Sequence, residues 1–306
     1  MKAFALIAVS LFCVSSMAGE AKTVKLLTIG NSFSANATHY LGDLAKADGN
    51  TLIHTPLVIG GASFQVHVEK AQKHEADALD KAGLYTSGRG LKESLELDKW
   101  DYVTIQQASI QSHDFSTYQP YAGWLRDYIT KHAPQAQLMV HETWEYRKDD
   151  PRFTKPAVKP GEPATQEAMY RELSAAYDKI AAELGAKVIP TGDAFHLADN
   201  DAAWAYQTDT TFDPKAAKQP ALPNQKHSLH IGWRWAKPKS GNGPVALGMD
   251  GHHANVAGEY LGACVWYEVL FGASPVGNTF VPKGLDPKDA SFLQETAHRA
   301  VIARKK

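Results

Sequence analysis

The chain has 306 residues, with 32 Lys and Arg against 33 Asp and Glu and a formal net charge of −1. That balance excludes a polyanion as the natural partner, so neither nucleic acid nor an anionic membrane surface is expected. Hydrophobic residues make up 44% of the sequence, enough for a sizeable core, and two cysteines leave little scope for disulfides.

Met1-Lys2 precedes an apolar run from Ala3 to Val14, followed by the small residues Ser15-Ser16-Met17-Ala18. This is the pattern of a secretory signal peptide over residues 1–18, cut after Ala18. The run is too short to span a bilayer, and Phe12 before Cys13 does not fit a lipoprotein site. A secreted or periplasmic protein with Cys264 as its lone thiol follows, stabilised by its core. Residues 19–306 are expected to form one domain.

Leu26-Leu27-Thr28-Ile29 ends a largely apolar run from Val24 that suits a buried strand, and Gly30 allows a sharp turn at its end. Asn31-Ser32-Phe33-Ser34 follows, with a helix expected over Ala35 to Ala47 and its start near Ser34. Thr51 to Ile59 is a second strand, closed by Gly60-Gly61-Ala62-Ser63. Residues 64–83 read as a helix, and Trp100 to Ile105 as a third strand running into Gln106-Gln107-Ala108-Ser109. Gln119 to His132 carries apolar residues at helical spacing, and Gln137 to Val140 is a fourth strand. Met169, Leu173, Ala176, Tyr177, Ile180 and Leu184 share one helix face, with Gly185 as its stop. Lys187 to Pro190 is a short fifth strand. Such alternation implies a mostly parallel sheet covered by helices on both faces, with ligands at the strands' carboxyl ends.

Residues 145–164 and 206–249 break the alternation and are expected to be insertions without regular period. Beyond them, Val256 to Phe271 carries an apolar stripe containing Cys264, an inert core thiol, and Phe292 to Ala303 reads as a last surface helix.

Ser32 stands just past a strand end, where an exposed hydroxyl could attack a bound ester. Amides around it, with a helix start behind them, would favour the anion that forms. Ser32 or Ser34 as a plain helix cap accounts for the same residues. A nucleophilic serine needs a base and a group to orient that base. Asp250-Gly251-His252-His253 offers both, three residues apart at the start of a helix, with either His253 or His252 as the base. Asp250 as a helix cap is again the plainer alternative.

Gly30-Asn31-Ser32-Phe33, Gly60-Gly61 and Asp250-Gly251-His252-His253, taken in that order, resemble the conserved blocks of the SGNH (GDSL-like) hydrolase superfamily across most of the mature chain. The resemblance implies a three-layer α/β/α sandwich with a five-stranded sheet and a Ser32–His253–Asp250 triad. It also implies oxyanion donors at Ser32 and at Gly60 or Gly61. The third block departs from the superfamily pattern: Gln106-Gln107 replaces its Asn, so the side chain of Gln106 or Gln107 would complete the oxyanion hole. Both glutamines also suit strand-end bonding to nearby backbone.

Asn31, Trp144 and Trp233 are the expected substrate contacts, with Trp144 as a wall of the cleft; Trp233 and Trp235 in the late insertion suit either stacking on a sugar or packing of the loop. His227, His230 and His252 invite a zinc hypothesis, but no H-E-x-x-H frames them, and neither metal nor cofactor is expected. The sequon Asn36-Ala37-Thr38 matters only in a glycosylating host. The function expected is a secreted serine esterase acting on a small or carbohydrate ester, with deacetylation of a carbohydrate favoured. The alternatives are a non-catalytic glycan-binding protein on the same fold and a metal-dependent phosphodiesterase. The sequence is silent on oligomeric state.

Overall fold

The computed structural model describes residues 21–154, 161–238 and 241–305; the expected signal segment, 1–18, lies outside them. Strand β1, Thr23–Gly30, leads into two short helices, α1 (Ser32–Ala37) and α2 (Leu41–Ala47). The single helix expected from Ala35 is therefore two, starting three residues earlier. Thr38 Oγ1 bonds back to Ser34 O at 2.8 Å where α1 ends, a local bond that competes with helix continuation.

β2 (Thr51–Val58), α3 (Phe64–Ala76), α4 (Leu91–Leu95) and β3 (Tyr102–Ile105) follow. Then come α5 (Tyr121–His132), β4 (Gln137–His141), α6 (Pro151–Thr154), α7 (Gln166–Leu184) and β5 (Lys187–Ile189). Gly185 ends α7 in the left-handed conformation, φ 62, as its position predicts. The remaining elements are α8 (Thr191–Asp199), β6 (His230–Ala236), β7 (Ala246–Ala254), α9 (Val256–Phe271) and α10 (Pro287–Arg304).

β1 to β5 form one parallel sheet in the order β2-β1-β3-β4-β5. Helices α1, α2, α8, α9 and α10 pack together, as do α3, α4, α5 and α7, giving the α/β/α layers that burial of both sheet faces demands. Leu26, Leu27, Val103, Ile105 and Val140 are fully buried at its centre, and Cys264 on α9 lies in the same core. The strand order reverses between β1 and β3, the switch point at which such sheets hold ligands.

The 206–249 stretch corrects its expectation in part. Its end is not irregular: β6 and β7 pair antiparallel as a separate hairpin. Asp250 and His253 therefore belong to a strand and not to the start of a helix, which begins at Val256 behind the cap Asn255. Gly232, Gly248 and Gly251 interrupt the two strands, and the short alternation of Ile231, Trp233 and Trp235 with Gly232 and Arg234 sits in a stretch rich in proline, lysine and glycine, which conceals the strand pattern. Among the described residues no helix is long and apolar enough to cross a membrane.

Candidate active site

Ser32 follows β1 where the chain leaves the sheet. Gly30 lies so close to the end of β3 that a Cβ there would fall on Ser34 Oγ and Gln106 Oε1, so only glycine fits. Asn31 is extended, and its Oδ1 accepts from Phe33 N at 3.0 Å, capping α1. Its Nδ2 donates to Ala62 O at 2.9 Å, tying the serine turn to the glycine turn after β2. The β1–β2 register ends at Gly30 opposite Val58, so Ser32 and Gly60 each stand two residues beyond the last pair. His67 supports the turn from below. Burial lowers its pKa to about 4, so the ring is neutral; Nε2 donates to Gly30 O at 3.1 Å and Nδ1 accepts from the Tyr85 hydroxyl at 2.9 Å.

Asp250 and His253 reach the same point from β7. In an even strand, residues three apart face opposite sides. Here the pairing jumps, because Gly232 faces Asp250 while His230 faces Ala254. Two steps along β6 are matched by four along β7, and the bulge turns His253 back beside Asp250. His253 Nδ1 lies 3.1 and 3.0 Å from the two Asp250 oxygens, and Nε2 lies 2.9 Å from Ser32 Oγ. The carboxylate keeps the proton on Nδ1, which leaves Nε2 to accept from the serine. Burial would raise the Asp250 pKa, but hydrogen bonds from the His253 ring and amide outweigh it and hold the carboxyl well below the usual range. His252 Nδ1 lies 3.3 Å from Asp250 Oδ1. Of the two histidines, His253 is the one within reach of Ser32.

The bulge is pinned by the segment after β4. Trp144 Nε1 donates to His252 O at 2.9 Å, and Arg147 N donates to Gly251 O at 2.8 Å. The Trp144 ring lies 4.4 Å from both Phe33 and Phe195, stacked on the latter, so one side chain touches both halves of the site.

Residues 25–209 match the family described as domain of unknown function DUF4886. The chain belongs to that family. The crystal structure of a DUF4886 family protein from Bacteroides uniformis ATCC 8492 is 26% identical and superposes with a TM-score of 0.69, covering 93% of this chain and 96% of that one. A candidate SGNH hydrolase from Slackia heliotrinireducens is 20% identical, with a TM-score of 0.48 over 80% of this chain and 98% of that one. A candidate GDSL-like lipase from Parabacteroides merdae ATCC 43184 is 14% identical, with a TM-score of 0.44 over 82% and 97%. No curated protein matches the sequence.

In this DUF4886 protein the other expected site residues divide. Among the described residues the amides of Ser32, Gly60 and Gly61 carry no hydrogen bond, and a Cβ on either glycine would meet nothing within 4 Å. Gln106 and Gln107 are fully buried. Gln106 Nε2 donates to Asn31 Oδ1 at 2.9 Å and Gln107 O at 3.0 Å, while its Oε1 accepts from Ser34 Oγ. Gln107 Nε2 donates to Thr117 O and Oγ1 at 2.9 and 3.1 Å. All four amide N–H bonds are thus directed into the fold and none toward Ser32. Asn31 and Trp144, expected at the cleft surface, are 1% and 0% exposed and act from beneath it. Trp233 packs 6.4 Å from Phe212, and Trp235 Nε1 donates to Ala221 O at 2.9 Å, so both brace the 206–229 loop.

The histidines that invited a zinc hypothesis do not converge. His227 pairs with Asp289 and stacks on Trp204, and His230, its pKa lowered by burial to about 3, donates from Nε2 to Glu145 O at 3.0 Å. The group that comes within 4.8 Å is Asp250, His252 and His253, two of which already bond in the serine chain. His67, Arg147 and the β7 bulge carry no sequence signal of their own, since each acts through backbone carbonyls that are distant in sequence.

Proposed function

We propose that the protein is an exported serine esterase that removes an acyl group, acetyl above all, from a polar alcohol of the carbohydrate class. The observation that carries this reading is the chain of hydrogen bonds from Ser32 Oγ through His253 to Asp250, formed between residues 221 positions apart. Helix capping requires no such partner, so it leaves the contact unexplained.

In the proposed reaction His253 Nε2 takes the hydroxyl proton as Ser32 Oγ bonds to the ester carbonyl carbon. The amides of Ser32 and of Gly60 or Gly61 receive the oxyanion. Collapse breaks the bond to the alcohol oxygen, to which His253 returns the proton. Water, deprotonated by the same ring, then releases the acid and restores Ser32. Asp250 keeps the ring's orientation throughout and stabilises its cationic form. The glutamines act indirectly: Gln106 holds Asn31 and Ser34, and Gln107 Oε1 accepts from Phe64 N at 3.1 Å, fixing the start of α3. Arg234 and Lys237 border the groove beside His253, which suits a sugar better than an alkyl chain.

Ser32→Ala is expected to lower kcat on p-nitrophenyl acetate by about a thousandfold or more and to abolish labelling by a fluorophosphonate. Hydrolysis at the wild-type rate by the variant would overturn the reading. Labelling of the wild type at Ser32 separates it from a non-catalytic binding protein, and full activity in a chelator separates it from a metal-dependent phosphodiesterase.

A further inference from the structure

The β6–β7 hairpin presents one nearly bare face to the site. Side chains alternate along each strand, and the pairs on this face are Gly232 with Asp250, Arg234 with Gly248, and Ala236 with Ala246. Only Arg234 and Asp250 carry functional groups there. A groove of about 360 Å³ opens above them, bordered further by Lys237, Met249, His252 and His253. Trp233 and Trp235, on the opposite face, hold the hairpin to the 206–229 loop.

The charges of this groove do not balance. Among the described residues Asp250 is the only acid lining it, against Arg234 and Lys237, and both Asp250 oxygens already accept from His253. Arg234 Nη2 makes a loose ion pair with Asp250 Oδ2 at 3.7 Å, too long for a hydrogen bond, and with its side chain 52% exposed its N–H fork stays open to the groove. A guanidinium offers a rigid fork of N–H donors that fits a carboxylate with two parallel bonds. The groove also lies on a defined side of the reaction. His253 must protonate the departing alcohol, so the alcohol leaves along the His253 side, whereas the acyl oxygen points to the free amides at Ser32, Gly60 and Gly61.

We infer that the groove is the alcohol subsite and selects an alcohol that carries a carboxylate, which Arg234 clamps while Lys237 adds to the attraction. The inference rests on the esterase reading above and narrows its substrate to acyl esters of acidic sugars.

The test compares kcat/KM for O-acetylated methyl glucuronoside with that for its uncharged 6-carboxamide, in the wild type and in Arg234→Gln and Lys237→Gln. The acid-to-amide ratio is read within each protein, so a general loss of activity cancels. The wild-type ratio is expected to be about tenfold or more, the magnitude of a charge-assisted pair of hydrogen bonds. Arg234→Gln is expected to bring it close to one, with Lys237→Gln in between. A wild-type ratio of one or less, or no turnover of the acid while a fluorophosphonate still labels Ser32, would overturn the inference and leave the esterase reading standing. Absence of labelling at Ser32 together with absence of turnover of any ester would remove both.

Discussion

Ser32 and His253 lie 2.9 Å apart, yet the backbones that carry them are held in opposite ways. Ser32 extends a strand paired on both sides, its turn fixed by a glycine with no room for a side chain and by the adjacent cap Asn31. His253 rides on a two-stranded hairpin outside the sheet, an arrangement that is marginal in water without other support. Its support is lateral. Trp144 and Arg147 reach the carbonyls of His252 and Gly251, while Asn255 Nδ2 donates to Ser228 O at 2.6 Å and to His230 O at 3.0 Å. The proposed nucleophile is placed by local geometry and the proposed base by distant partners, so the base side should fail first when packing is disturbed.

The sharpest way to break this asymmetry is Gly251→Ala. A Cβ at this position would fall on Asp150 Oδ2, and Asp150 is only 5% exposed, with Oδ1 accepting from Arg152 N at 2.9 Å. Neither group can yield without moving the bulge. A displacement of about 1 Å of a catalytic group costs on the order of a hundredfold in rate, so kcat on p-nitrophenyl acetate should fall by about that factor. An unchanged kcat in a folded variant would show that the bulge tolerates movement and that the hairpin is not the fragile half.

Trp144→Phe is the milder cut. The ring stays between Phe33 and Phe195, but the His252 carbonyl loses its N–H partner. A partly buried carbonyl left without a partner costs about 1 kcal/mol of stability, and kcat should drop by about tenfold while KM is retained, because the indole is buried and touches no substrate. Equal loss in kcat and gain in KM would point instead to a deformed cleft.

The same asymmetry explains what could be read from the chain alone. β1 to β5, the strand-end position of Ser32 and the glycine stop of α7 all follow from periodicity and from residues next to one another, such as Ile29-Gly30-Asn31. The Asp250–His253 spacing is visible too, but its meaning is not: in an even strand these residues diverge, and only the mismatch with His230 and Gly232 brings them together. Likewise Gln106 and Gln107 look like free strand-end donors until Asn31, which follows β1, and Thr117, in the loop after β3, are seen to take their N–H bonds. Trp144 announces an aromatic near the cleft, while its burial depends on Phe33, on α1, and Phe195, on α8. Contacts between segments distant in sequence leave no period to detect.

A smaller effect on rate lies behind the hairpin's support. Glu145, whose backbone oxygen receives His230, turns a buried carboxyl toward His196, with Oε1 3.3 Å from Nδ1. Asp199 stands close by on α8, bonded to Gln166 Nε2 at 2.8 Å; burial first, and the charge of Glu145 second, push its pKa up to about 7. An acid whose folded pKa is raised holds its proton in the native state while the unfolded chain, titrating near 3.9, has released it. Stability from this group is therefore fully present below about pH 4, declines as pH rises toward 7, and is level above that. Asp199→Asn keeps an acceptor for Gln166 but cannot ionise, so its Tm should fall less than that of the wild type between pH 4 and pH 8. The expected gap is on the order of 10 °C at the upper end, the effect of about three pKa units at about 1.4 kcal/mol each, with kcat on p-nitrophenyl acetate at pH 8 nearly unchanged because the substitution keeps the Gln166 bond and Asp199 bonds none of Ser32, His253 and Asp250. Parallel Tm profiles in the two proteins would mean that Asp199 ionises like an exposed carboxylate, and the hairpin's support would then be insensitive to pH from this direction.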